Sequence, residues 1–257
     1  MYNSKIIGLG HYVPENIVTN DDLSKIMDTS DEWIQERTGI RERRWAKPGD
    51  GQSTFTMGLE AAKKAISNSG IEKEEIDLIV FATLSPDYYF PGPGVQIQEA
   101  LEINTVAALD IRAQCSGFVY SISVADQFIK TGMYKNILVI GSELQSHGID
   151  KSTRGRSISV IFGDGAGAAI LTREEDLTKG ILSTHIHSEG KHALELATEA
   201  PGMGTRWVTD IIKDNDPNDF SYRPYMNGQF VFKHAVKRFS EVISEGLQKN
   251  KLEVSDI

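Results

Sequence analysis

Cysteine is nearly absent: Cys115 stands alone in 257 residues. No internal disulfide framework can form, and a reducing compartment suits such a chain. Long apolar runs are missing too. Nothing approaches the ~20 residues of a membrane span, and Ser4-Lys5-Ile6-Ile7-Gly8-Leu9-Gly10 is too short and too broken by glycine for a signal peptide. A cytoplasmic protein is the expectation. Basic residues are in deficit, with 27 Lys and Arg against 36 Asp and Glu, a net charge of −9. That argues against a general nucleic-acid binder but leaves room for a local basic patch facing an acidic partner. The histidines are only six. His185 and His187 alternate and would share one face of a strand, but no third ligand stands at useful spacing, so no metal site is expected. His234 reads as a surface or packing residue. The stretch from Gly163 to Ala168 lacks the Gly-Lys-Ser/Thr of a phosphate loop, so its small residues point to close backbone approach instead.

What is present centres on Val106 to Gly132. An apolar, β-branched run from Val106 to Ile111 suits a buried strand. Phe118, Ile122, Ala125 and Ile129 then recur at helical spacing. Cys115 falls between them, at the N-terminus of the predicted helix. Unpaired backbone N–H groups and the helix dipole favour an anion there. A thiol of ordinary pKa about 8.5 is lowered in such a place, and the thiolate is the nucleophile. A small buried hydrophobe is the alternative fate of a lone cysteine.

Apolar runs at Asp77–Leu84 and Asn136–Ser142 read as strands covered on both faces. They alternate with helical stretches, of which Ser53 caps one and Gly70 closes it. The pattern predicts an α/β fold with a mainly parallel sheet. A charged linker, Arg173 to Lys179, separates residues 1–172 from a second region, 180–257. Gly180 to His187 reads as the first strand of that region, Glu189 to Pro224 as irregular, and Phe230 to Gln248 as a long amphipathic helix. Ile71-Glu72-Lys73-Glu74-Glu75-Ile76 follows a helix, and Leu252-Glu253-Val254-Ser255-Asp256-Ile257 does the same. The second region therefore reads as a copy of the first, cut before its buried strand. A complete copy would bring the chain to about 350 residues.

Three motifs carry a resemblance. They are Asp28-Thr29-Ser30-Asp31-Glu32-Trp33 with Arg37-Thr38-Gly39-Ile40-Arg41-Glu42-Arg43, then Cys115-Ser116-Gly117-Phe118, then Phe162-Gly163-Asp164-Gly165-Ala166-Gly167-Ala168. Together they resemble the thiolase-superfamily condensing enzymes of the β-ketoacyl-[acyl-carrier-protein] synthase III type. The resemblance implies two pseudo-repeated βαβαβαββ halves in a layered α/β/α/β/α arrangement, the second half incomplete here, and a homodimer. It implies that Cys115 takes an acyl group from acyl-CoA, and that malonyl-acyl-carrier protein then decarboxylates and attacks the thioester. No cofactor beyond the CoA thioester substrate is implied. The histidine and asparagine of that chemistry belong to the second half, the histidine in a Pro-His-Gln-Ala-Asn-type motif past the last residue here. None of the histidines present matches a family position.

The same resemblance assigns binding residues. Trp33 is similar to a tryptophan that stacks on the CoA adenine; core or interface filling is its alternative. Arg37 and Arg156 match arginines that hold the nucleotide, with Arg154 a live alternative to Arg156. Thr29, Met226, Gln229 and Phe232 match the pantetheine tunnel, and Phe162 is grouped with them as cofactor-binding; ordinary packing competes. Phe90 matches an aromatic that crosses the dimer to end the acyl pocket, against local packing on Tyr88 and Tyr89. Lys233 and Lys237, at i and i+4, share a helical face that would steer an acidic acyl-carrier protein or merely be solvated. A non-catalytic acyl-CoA-binding protein and a specialised-metabolism acyltransferase of the same superfamily are the competing readings.

Overall fold

The apolar run at Leu78–Ala82 is buried at every position, and the rest of the fold is laid around it. The structure is a computed structural model that describes residues 2–199 and 222–257. Its first elements are β1 (Asn3–Tyr12), β2 (Ile17–Thr19), α1 (Asn20–Ser24), α2 (Asp31–Thr38), β3 (Glu42–Arg44) and α3 (Thr54–Ser69). Then come β4 (Leu78–Ala82), α4 (Pro93–Ala100), β5 (Ala107–Ile111), α5 (Gly117–Lys130) and β6 (Asn136–Glu143). After them follow α6 (Arg156–Ser159), β7 (Gly165–Glu174), β8 (Leu196–Ala197), β9 (Tyr225–Met226) and α7 (Gly228–Asn250).

Five strands form one sheet in the order β1-β7-β6-β4-β5. Setting aside the insertions β2–β3 and α6, the sequence of elements is βαβαβαββ. Alternation along β4 and β6 divides the core in two. Ile79, Phe81, Leu138 and Ile140 face α3 and α4, packing on Ala61, Ala65 and Ile97. Leu78, Val80, Ile137 and Val139 face α5, packing on Ala125 and Ile129. The sheet is thus covered on both faces by helices.

Only two of the four ladders are parallel, β4 with β5 and β4 with β6; β6–β7 and β1–β7 run antiparallel. A parallel return needs a crossover that packs back on the sheet. The segment from β6 to β7 contains only a 3₁₀ turn (Thr153–Gly155) and the four-residue α6, so β7 comes back beside β6 in the opposite sense. β5 also departs from expectation. It is an edge strand, largely exposed, with Leu109 open to solvent.

β1 lies so close to α3 that it needs glycine. A Cβ on Gly10 would sit 2.1 Å from the Ala61 carbonyl oxygen, and one on Gly8 would sit 2.3 Å from that of Ala65. The insertion between β1 and α3 builds a third apolar cluster, in which Leu23, Ile34 and Trp45 meet Ile158 and Val160. Thr19, Ser30 and Ser53 cap α1, α2 and α3, and Gly39 and Gly70 close α2 and α3 in the left-handed conformation. Arg43, one of three arginines clustered in sequence, is turned inward, donating to Asn20 Oδ1 at 2.7 Å and the Val160 carbonyl at 3.0 Å.

The second region differs from its reading at Gly180–His187, which forms no strand. Its backbone makes one bond to β1, from Ile181 N–H to the Ser4 carbonyl, and no ladder beyond it among the described residues. Part of the stretch read as irregular, Glu189 to Pro224, lies outside the described residues; the remainder includes β8, which pairs with β9 just after the stretch. α7 carries Phe232, Val236, Phe239 and Ile243 on an exposed face.

The internal repeat has a structural counterpart. After α3, Gly70 is left-handed, Lys73–Glu75 forms a 3₁₀ turn, and Glu72 N–H donates to Glu75 at 3.0 Å. After α7, Lys251 is left-handed, Val254–Asp256 forms a 3₁₀ turn, and Glu253 N–H donates to Asp256 at 2.8 Å. Six weakly similar residues thus build one local device twice.

Candidate active site

Cys115 sits in the tight turn Gln114–Ser116, directly before α5, and its side chain reaches the surface. Gln114 holds a φ of 48°, a left-handed backbone that a non-glycine residue adopts at a cost of order 1 kcal/mol or more. No side chain caps α5. The Gly117 N–H is taken up by the Gln114 carbonyl, so the helix dipole, not a side-chain cap, is what favours negative charge beside the sulfur.

The thiol itself runs against expectation. Although the side chain is exposed, its partial burial, and next the Glu143 carboxylate, push the thiol above its ordinary value. Glu143 ends β6 and is itself raised by burial, although it accepts hydrogen bonds from Ser85 Oγ at 2.9 Å and Gln145 Nε2 at 3.0 Å. Desolvation and a like-signed neighbour outweigh the helix terminus here. Glu143 was missed from the sequence; a lone carboxylate closing an otherwise apolar strand was its signal.

The proposed nucleotide residues gather around one indole. The Arg37 and Arg156 guanidinium carbons lie 4.6 and 4.5 Å from the Trp33 ring centroid. Arg156 also donates to the Asp28 carbonyl. Arg154 turns away and pairs with Asp150, its Nε 2.7 Å from Oδ2. Trp33, Phe162 and Met226 pack against the same third cluster. The Thr29 hydroxyl, four residues before Trp33, is buried with no hydrogen-bond partner among the described residues. Two further groups fix this lobe. Trp45 donates its indole N–H to the Phe162 carbonyl at 2.9 Å. Asp164 accepts from Ala46 N–H at 2.7 Å and Ser146 N–H at 2.8 Å. Asp164 was visible in the third motif, but its role as a latch between two loops was not.

The remaining candidates stand on the surface. Gln229 and Phe232 lie in the first turns of α7, both exposed, with Phe232 66% open. Lys233 and Lys237 share its exposed face, and Lys237 Nζ lies 3.9 Å from Glu241. Phe90 is 81% exposed; it meets Tyr89 edge-on at 6.3 Å, and that contact does not cover it. His185 and His187 do converge, but on Glu245, at 2.9 and 2.7 Å. No helix among the described residues is long and apolar enough to cross a membrane.

A βαβαβαββ layer with a cysteine at the uncapped helix after its third strand defines a thiolase-like condensing enzyme. Residues 109–190 match the family described as 3-oxoacyl-[acyl-carrier-protein (ACP)] synthase III. The chain is 45% identical over 254 residues to the β-ketoacyl-[acyl-carrier-protein] synthase III of Aliivibrio fischeri, covering 99% of this chain and 74% of that one. It is 43% identical over 257 residues to the enzyme of the same name from Ehrlichia canis, covering 100% and 75%. The crystal structure of 3-oxoacyl-[acyl-carrier-protein] synthase III from Aquifex aeolicus superimposes with a TM-score of 0.84 at 42% identity, covering 97% of this chain and 73% of that one. The chain belongs to the β-ketoacyl-[acyl-carrier-protein] synthase III family and is an acyltransferase-type condensing enzyme of fatty-acid synthesis. The reading of a chain cut short is not borne out by these matches, which report shared length and not where either chain ends.

Proposed function

We propose that this chain joins an acyl-CoA primer to malonyl-acyl-carrier protein through an acyl-Cys115 thioester. Cys115 carries the reading: it is an accessible sulfur at an uncapped helix N-terminus, behind a strained turn, in a chain of this family. The Cys115 sulfur attacks the acyl carbonyl, the new C–S bond forms, and the bond to the CoA sulfur breaks as CoA leaves as its thiol. The malonyl carboxylate then leaves as CO₂. The enolate carbon bonds to the acyl carbon, the Cys115 C–S bond breaks, and the thiolate so released takes a proton from water to restore the thiol. The N-terminus of α5 suits the oxyanion that develops next to the sulfur.

Trp33, Arg37 and Arg156 hold the nucleotide in this reading. Two guanidiniums crowd one indole, and a phosphate group between them relieves their repulsion. The Thr29 hydroxyl lacks a partner that a bound polar group supplies. Phe162, Met226, Gln229 and Phe232 line the way toward Cys115. Lys233 and Lys237 meet the acidic acyl-carrier protein, and Phe90 reaches a second copy in a homodimer. The enzyme works in the cytoplasm and needs no cofactor beyond its thioester substrate.

Intact mass after incubation with acetyl-CoA tests this. One acetyl adduct is expected on the unaltered chain and none on Cys115→Ala. No adduct across several acyl-CoAs, or an adduct that survives Cys115→Ala, overturns the reading.

A further inference from the structure

Away from Cys115, two histidines and a glutamate converge where the turn after Glu189 meets α7. Glu189, His192 and His234 each bring one ligand atom within 4.8 Å of the others. We propose that these three side chains form a binding site for a divalent transition-metal ion of the zinc class. This inference is independent of the acyl-transfer reading.

Several details of the group favour it. His234 Nδ1 lies 3.3 Å from the Phe230 carbonyl. Donating there fixes the tautomer with its lone pair on Nε2, the arrangement usual for a metal-bound imidazole. The ring is also held by Phe230, stacked at 3.9 Å. The His192 ring stands edge-on to both, at 4.7 Å from each. His192 Nε2 lies 3.9 Å from Glu189 Oε1. Arg238 grips the other oxygen, Oε2, at 2.7 Å and orients the carboxylate as an outer partner would. Lys191 and Arg238 both contact the Glu189 carboxylate, at 2.7 Å each.

Two imidazoles and one carboxylate suit zinc or its neighbours, not calcium or magnesium, which prefer an all-oxygen shell. Three protein ligands leave a position for water. Metal–ligand bonds of about 2.0–2.2 Å require the donors to draw in by roughly 1 Å; His192 and Glu189 sit on a surface turn and can move that far. The ion's competitor is Lys191, 2.7 Å from Glu189 Oε1. That is a single charge on an exposed side chain, and such pairs contribute little. Binding would tie the turn from Glu189 to α7, the helix that bears Gln229 and Phe232.

The test is zinc titration of the full 257-residue chain by calorimetry, with cobalt absorption as a second readout. A Cys115→Ser background removes the exposed thiol as a rival ligand. One ion per chain is expected, with a ligand-field band for cobalt. His192→Ala and His234→Ala should each weaken binding by about tenfold or more, and Lys191→Ala should tighten it. His187→Ala, in the neighbouring pair on Glu245, should leave it unchanged. Failure to bind zinc, full affinity in either His192→Ala or His234→Ala, or loss of binding in His187→Ala overturns the site. Should His234→Ala fail to fold, His192→Ala decides, because its turn lies outside the core.

Discussion

The Arg156 guanidinium lies 4.5 Å from the centroid of the Trp33 ring, although 123 residues separate them in sequence. α2 supplies the indole and Arg37 supplies a second cation at 4.6 Å. Arg37 also pairs with Glu36 at 3.0 Å, so a bound phosphate would compete with that exposed carboxylate, a contact of little weight on its own. Arg156→Ala should weaken CoA binding by about tenfold, the loss of one charge-assisted contact worth roughly 1.5 kcal/mol. Arg154→Ala should do far less, since that side chain is turned to Asp150. Calorimetry with CoA distinguishes them; an equal loss in both would mean that general positive charge, not the indole site, holds the nucleotide.

The Cys115 thiol sits above its ordinary value because of burial first and Glu143 second. A raised thiol pKa means less thiolate at neutral pH. The rate of iodoacetamide alkylation should therefore keep climbing with pH beyond the usual midpoint of about 8.5. Glu143→Gln removes the negative neighbour but keeps a hydrogen-bond acceptor. Its alkylation profile should move to lower pH. A profile that stays fixed would assign the shift to burial alone.

What could be read in the sequence divides along physical lines. β4 and β6 were legible because continuous apolar runs leave no other use for them. The turn at Cys115 was legible because a strand pattern meets a helix pattern there with only a few residues between. β5 was misread as buried because a β-branched run looks the same at an edge as at a centre. The antiparallel β7 was hidden because strand direction depends on what the preceding loop covers, not on the strand's own residues. Trp33 and the arginines were legible only through the quoted motif. Glu189, His192 and His234 were not legible at all, since 41 residues lie between the second and third and only the fold brings them together.

Gly10 offers a test of the β1–α3 contact. An added Cβ would lie 2.1 Å from the Ala61 carbonyl oxygen and 2.5 Å from the Ala65 nitrogen. Both are backbone atoms of α3 and cannot step aside. Gly10→Ala should destabilise by about 3 kcal/mol or more. Gly167→Ala, in the paired strand β7 with nothing within 4 Å of its would-be Cβ, should stay within about 1 kcal/mol. Thermal unfolding of the two variants compares them directly.

Asp164 joins two loops through hydrogen bonds from Ala46 and Ser146 N–H. Asp164→Ala leaves two donors in a buried setting without their charged acceptor, at a cost of about 3 kcal/mol. For a chain of this length that is roughly a 6–12 °C fall in the unfolding midpoint. Asp164→Asn keeps one acceptor oxygen and should recover about half of it. Equal midpoints for the two variants would show that shape, not hydrogen bonding, matters there.

Lys233 and Lys237 share a face of α7, but they are not equivalent. Lys237 has Glu241 at 3.9 Å, which offsets part of its charge. Lys233 makes no ion pair among the described residues, so its full charge faces solvent. The chain as a whole is at −9 and repels an acidic acyl-carrier protein at long range. A local cation must overcome that within about 10 Å, the screening length at 0.1 M salt. Lys233→Glu should therefore slow association with malonyl-acyl-carrier protein by about tenfold at low salt, and Lys237→Glu by less. Raising the salt should shrink both effects, because an encounter steered by exposed charges is screened while a packed contact is not. Stopped-flow association rates at several salt concentrations measure this. A Lys233→Glu defect that persists unchanged at high salt would mean that the lysine makes a close contact instead of guiding approach.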